Sequence, residues 1–234
     1  MPWLIARYLP VGLFSLKHGE ATSTGGKSLL VPTPFAIRTA LVDAALRLEG
    51  RQKADTIVET VRELRLALKP PRYAAVSGLF TKVLKPERRD SAKASERFFQ
   101  KTIAFREYVH WWGELGLAFG GEEADLQAVA AWLPHITYLG KRGGFVQLAD
   151  RPERVETLPQ DFLMLEPRGR ETQGFPLGLV QRVDDWGPDM TWPALNVFSD
   201  VKIRLGKERI RYDIPTPYNL RQAGRGFALY VLEG

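Results

Sequence analysis

The spacing of apolar residues changes several times along the chain, and each change marks an element. Residues 3–9 form an apolar run that reads as a strand. In PFAIRTALVDAALRL (34–48), Ile37, Leu41, Ala44, Ala45 and Leu48 fall on one helical face, and Gly50 stops the run. Ile57, Val61, Leu64 and Leu68 repeat that spacing in a second helix, which Pro70-Pro71 ends. Two stretches rich in aromatic and β-branched residues follow, YAAVSGLFTKVL (73–84) and FFQKTIAFREYVHWWGELGLAF (98–119). Both read as strands, with Gly113 and Gly116 as bulges or kinks. A third helix at 122–133 has Leu126, Val129, Ala130 and Leu133 on one side, an acidic first turn and Pro134 as terminator. HITYLGKRGGFVQL (135–148) then gives a glycine-rich turn leading into a strand. The order is the β-α-β-β-α-β plan of an α+β, ferredoxin-like or RNA-recognition-type domain over residues 1–149.

From residue 150 the pattern turns to proline, glycine and short strands, which predicts a smaller β-rich domain over 150–234. In VKIRLGKERIRYDI (201–214), Val201, Ile203 and Leu205 alternate with Lys202 and Arg204. After a turn at Gly206-Lys207-Glu208, Ile210, Tyr212 and Ile214 alternate with Arg209 and Arg211. Period-two alternation predicts a hairpin with four cations on one side.

The 234 residues are enough for one large domain or two small ones, and apolar and charged contents are those of a folded protein. The chain has no cysteine, which removes disulfides and thiolate metal sites and points to a cytoplasmic protein. The apolar start MPWLIARYLPVGLF lacks a basic leader and is broken by Arg7 and Pro10, so it reads as a strand of the mature fold, and no membrane association is expected. The net charge of +6 favours polyanionic partners.

ATSTGGKS (21–28) satisfies the general phosphate-loop pattern through Ala21, Gly26, Lys27 and Ser28. A phosphate loop needs a helix that begins at once, so that its N-terminal N–H groups meet the phosphates. Pro32 and Pro34 forbid this, because each removes a donor and biases its predecessor toward extended backbone. The helix starts instead at Thr33-Pro34, an N-cap followed by proline at the first helical position. A nucleotide-binding enzyme is thereby disfavoured, and no cofactor is expected. Lys27 in its glycine-flanked loop remains fit to hold a single backbone phosphate.

The charge is concentrated. Residues 82–101 hold Lys82, Lys85, Arg88, Arg89, Lys93, Arg97 and Lys101 against Glu87, Asp90 and Glu96, a basic segment between strands that reads as a protruding finger or as a solvated surface loop. In GKRGG, Gly140, Gly143 and Gly144 let backbone approach a phosphate while Lys141 and Arg142 supply charge. AGRGF, with Arg225, repeats that chemistry near the end. Metal-independent RNA cleavage needs a general base, a general acid and a cation. Tyr8, Lys17 and His18 are the candidate set; His110 reads as a sheet residue and His135 as a helix-end cap. No spacing suits a metal.

PTPFAIRTALVDAAL after a glycine-containing loop, the basic finger, TIAFREYVHWWGEL and LGKRGGF together resemble the Cas five family, the repeat-associated (RAMP) subunit of type I CRISPR Cascade complexes, over roughly residues 3–149. The resemblance implies a ferredoxin-like domain with a long thumb hairpin (73–101) and a variable β-rich C-terminal part. It implies a subunit that holds the 5′ handle of the CRISPR RNA without turnover, caps the backbone filament, and contacts the backbone and large subunits near target DNA. Carried over by position, the RNA contacts are Lys82, Lys85, Arg88 and Arg89 of the thumb, Lys27 and Arg38 around the first loop, and Gly140 to Gly144. Arg106 and Tyr108 lie two apart and so on one strand face, where they either stack on a base or pack under a helix. One branch of the family cleaves precursor RNA with Tyr, Lys and His. Here the Lys17-His18 pair ends the first strand instead of following the thumb, so endoribonuclease activity stands as the alternative.

Overall fold

The computed structural model describes residues 1–21, 25–86, 99–167 and 178–232. β1 (Trp3–Pro10) leads through a long loop to α1 (Pro34–Glu49). That helix begins where the prolines require: the Thr33 hydroxyl accepts the Ala36 N–H at 3.1 Å, with Pro34 in the first turn. α2 (Ala54–Glu63) follows, then β2 (Arg65–Lys69), β3 (Tyr73–Pro86), β4 (Phe99–Trp112), β5 (Leu115–Gly120), α3 (Glu123–Trp132) and β6 (Val146–Leu148).

Two boundaries differ from the sequence expectation. The second helix stops at Glu63, and Leu64 and Leu68, predicted helical, sit at and in an extended segment. Leu66, Ala67 and Leu68 are consecutive and all buried, a demand that a strand with two covered faces meets and a one-sided helix does not. The single strand predicted over 98–119 is two, parted at Gly113, whose φ of 105° is the left-handed region that favours glycine.

The unit β1-α1-β2-β5-α3-β6 forms an antiparallel sheet in the order β6-β1-β5-β2, a ferredoxin-like arrangement in an α+β fold. The β3–β4 hairpin, paired from Tyr73–Trp112 to Pro86–Phe99, is inserted between β2 and β5. Leu4, Ala6 and Tyr8 of β1 join Ile37, Leu41, Leu126 and Val129 of α1 and α3 in the main core. Trp3, Ile5, Ala67 and Ala118 form a second cluster, covered by Val155, Leu158, Phe162 and Met164.

Three segments beyond residue 150 hydrogen-bond to strands already described. β7 (Glu153–Val155) pairs with β1, and β8 (Leu163–Met164) with β2. β9 (Leu179–Trp186) is followed by a short helix, α4 (Trp192–Leu195), and then by β10 (Arg209–Thr216), β11 (Tyr218–Gly224) and β12 (Phe227–Leu232). β12 pairs with β3, giving a second sheet ordered β11-β12-β3-β4. The hairpin predicted within 201–214 does not form, because β10 pairs with β9 along its whole length. Its cations are also not a free row: Arg211 and Arg209 meet Asp184 at 2.7 and 3.7 Å, and Arg204 meets Glu208 at 2.6 Å. Acidic β9 is an electrostatically better neighbour than the basic segment 201–205. Among the described residues, no helix is long and apolar enough to cross a membrane.

Candidate nucleic-acid interface

Three loop segments converge beside β4. Phe14 and Val109 exchange backbone hydrogen bonds of 2.9 and 2.7 Å, which lays segment 13–15 along the β4 edge. The chain then runs antiparallel to 27–29, through Leu29 N–H to Leu16 carbonyl (2.8 Å) and His18 N–H to Lys27 carbonyl (3.4 Å). This short ladder brings Lys17 and Lys27 together. The third element is the glycine turn, closed by Leu139 N–H to Gly144 carbonyl (3.0 Å), with φ of 72° at Gly140 and 112° at Gly143. Val11 N–H donates to Phe145 carbonyl at 3.0 Å. A Cβ on Gly12 would lie 2.4 Å from the Gly143 carbonyl oxygen, so the turn seats against this position only because it is glycine.

Lys17, Lys27, Arg106 and Lys141 line one depression with Ser15, Gly25 and Gly26. Arg106, Tyr108, Lys141, Arg142, Gly143 and Gly144 line an adjoining one of about 420 Å³. Partial burial, followed by the nearby Arg106 and Lys17 charges, lowers the Lys141 pKa below the usual lysine range. Such mutual repulsion is relieved by an anion. Glu107, a carboxylate that lines the first depression, accepts the Ser28 N–H at 2.9 Å. Among the described residues, Lys27, Arg106, Lys141 and Arg142 form no ion pair.

Other sequence-predicted positions fall elsewhere. Arg38 is no phosphate contact: it is buried in an ion pair with Asp185 at 2.9 Å, because the inner face of α1 points its guanidinium at β9. Lys82 is exposed on β3 but pairs with Ile103, on the hairpin face opposite Arg106. Lys85 lies within β3 with only its backbone described, and Arg88 and Arg89 lie outside the described residues. Arg225 is exposed in the β11–β12 turn and lines neither depression. That turn packs on the hairpin root, with Gly78 N–H donating to Gly226 carbonyl at 2.7 Å.

The proposed Tyr8, Lys17, His18 set is not assembled. Tyr8 is fully buried, its hydroxyl donates to Leu133 carbonyl at 2.8 Å, and burial pushes its pKa up, so it cannot serve as a general base. Tyr8→Phe is expected to cost about 1 kcal/mol of stability, read by urea denaturation, through the lost hydrogen bond. The His18 ring accepts the Glu20 N–H at 3.3 Å. His110 is exposed beside Trp112, and the His135 carbonyl accepts from Arg47 at 2.6 Å. No described group of His, Asp or Glu suits a metal.

ATSTGGKS is not a phosphate loop where it is described: Ser28 bridges Lys17, its N–H goes to Glu107, and α1 starts only at Pro34. Sequence reasoning missed Lys17 as part of the cationic cluster, since only the ladder with 27–29 places it there. It also missed a cleft of about 670 Å³ at the hairpin root, lined by His18, Glu107, Gln181 and Tyr230, which are far apart in the chain.

No protein-family model matches the chain. A curated protein of Archaeoglobus fulgidus named CRISPR-associated protein Cas5 is 26% identical over 142 residues, covering 60% of this chain and 60% of that protein. The chain therefore matches three-fifths of that relative's length. Two solved structures are similar in sequence and shape at a low level. A crystal structure of a CRISPR protein from Archaeoglobus fulgidus is 14% identical, with 100% of this chain and 93% of that chain covered and a TM-score of 0.42. A chain of a CRISPR RNA-guided surveillance complex is 17% identical, with 92% and 90% covered and a TM-score of 0.47. The sequence similarity is thus to a protein named CRISPR-associated protein Cas5, which runs in the same direction as the resemblance drawn from the motifs.

Proposed function

We propose that this chain is a non-catalytic CRISPR RNA-binding subunit. It holds the 5′ handle of the guide within a type I Cascade-like surveillance complex, caps the backbone filament beside the backbone and large subunits, and lies near target DNA in antiviral defence. The observation that carries this reading is the convergence of Lys17, Lys27, Arg106, Lys141 and Arg142 from four chain segments onto adjoining depressions. Backbone glycines on one side admit phosphates, and Tyr108 on the other offers a ring to a base. Cations gathered in this way cost stability in the free chain, and a ribose–phosphate strand offsets that cost.

The test is the salt dependence of binding to a labelled CRISPR repeat RNA, followed by fluorescence anisotropy. Each neutralised phosphate of a single strand contributes about −0.7 to the slope of log K against log salt. Lys141→Ala with Arg142→Ala is expected to flatten that slope by about 1.4 and to weaken binding at every salt concentration. An unchanged slope would rule the glycine turn out of the interface. Wild-type chain incubated with the repeat RNA in chelator is expected to leave it intact. Cleavage that His18→Ala abolishes would establish the endoribonuclease reading instead.

A further inference from the structure

The two faces of the β11-β12-β3-β4 sheet differ in kind. Ala74, Val76, Val109 and Trp111 share one face and are buried. The other face places Trp112 opposite Tyr73 and Tyr108 opposite Ser77, with His110 between, and Phe227 of β12 on the far side of Ser77. None of these residues is buried, and Trp112 is 70% exposed. Leaving so large a ring in water sacrifices apolar burial and marks a contact surface. Among the described residues this face bears no carboxylate, since Glu107 falls on the opposite one. Its ends are cationic: Arg106 continues the Tyr108 row toward Lys141 and Arg142, and the Arg72 guanidinium stands 5.4 Å over the Tyr73 ring.

We infer that this open face is a stacking platform for the bases of a single-stranded nucleic acid whose phosphates are held at the Arg106, Lys141 and Arg142 end. The inference rests on the RNA-binding reading and extends it along β4. Alternate residues of a strand stand about 6.8 Å apart, so Tyr108 and Trp112 are about 14 Å apart. That length matches about four nucleotides at the stacked spacing of a single strand. Rings with polar edges inside a cationic rim suit bases joined by phosphates. Stacking on them is tolerant of sequence, because every base has a π-face.

The experiment measures binding of a fluorescein-labelled oligoadenylate of about 12 nucleotides to the full chain across salt concentrations, with inorganic polyphosphate as a base-free competitor. Trp112→Ala and Tyr108→Ala are each expected to weaken oligoadenylate binding about tenfold, with an unchanged salt slope and unchanged competition by polyphosphate. Trp112→Phe should restore most of the affinity. Circular dichroism should show these exposed-face variants folded. Wild-type affinity in both alanine variants, with binding still lost in K141A/R142A, overturns the platform and leaves the RNA-binding reading standing. No RNA binding by the wild-type chain overturns both. Release of a co-purifying protein by Trp112→Ala, with RNA affinity intact, would make the face a protein interface and the platform wrong.

Discussion

Arg38→Ala is expected to lower the free energy of unfolding by about 3–5 kcal/mol, measured by urea denaturation as a reduced midpoint. The ion pair it breaks is buried, with the Arg38 and Asp185 side chains only 10% and 8% exposed. Arg38 also donates to the backbone carbonyls of Val61 and Arg62, so one guanidinium ties α1 to both α2 and β9. Removing it strands Asp185, which keeps the Trp186 N–H (2.7 Å) and the Tyr212 hydroxyl (3.4 Å) but loses its counter-charge. Burial already raises the Asp185 pKa, against the opposing pull of Arg38. Without Arg38 the rise must grow. A carboxyl whose folded pKa lies above its unfolded value favours folding while protonated and loses that contribution as pH rises. The deficit of the variant should therefore be largest near neutrality and shrink as pH falls toward the carboxylate range. Exchanging both partners, Arg38→Met with Asp185→Leu, should come close to wild-type stability, because no unpaired charge remains. A loss under about 1 kcal/mol for Arg38→Ala would show that the pair is not integral to the fold.

The second large effect concerns binding. Arg106→Glu with Lys141→Glu should weaken binding of the repeat RNA by at least about 100-fold, since two charge-assisted contacts are lost and two repulsions added. The fold should be unharmed. Neither side chain is in the core, and their charges repel each other in the free chain. Lys141→Met alone should leave thermal stability unchanged or slightly raised while reducing affinity. That opposition, a side chain costly to the free chain and needed by the complex, is what a binding residue shows and a structural residue does not. Thermal melts beside anisotropy titrations would reveal it. Lowered stability without lowered affinity would assign Lys141 to the scaffold.

How far the chain could be read without its tertiary structure depends on the range of the interactions involved. The start of α1 was legible because Thr33-Pro34 is a local signal: a hydroxyl reaches an N–H three residues on, and proline fits the first turn. The same prolines disqualified ATSTGGKS. The glycine turn was legible for the same reason, since left-handed backbone at Gly140 and Gly143 is a property of two residues. The end of α2 was not legible. Leu64 and Leu68 continue the helical period, and only burial of β2 on both faces, beneath the helices and beneath residues 155–164, made a strand the better solution.

Residue types carry charge but not its destination. Arg38 looked like a phosphate ligand beside Lys27 and is the partner of Asp185, 147 positions away. Arg209 and Arg211 looked like half of an exposed basic row and meet Asp184 across a strand pair. Tyr8 and His18 looked like catalytic neighbours, yet the Tyr8 hydroxyl faces the core. The sequence by itself determined where helices may begin, which turns need glycine, and that the chain carries an excess of positive charge. Tertiary structure decided which cations are consumed by buried or paired carboxylates and which are left for a polyanion. Local backbone preferences act over a few residues, whereas a charge is satisfied by whichever group the fold carries to within hydrogen-bonding distance.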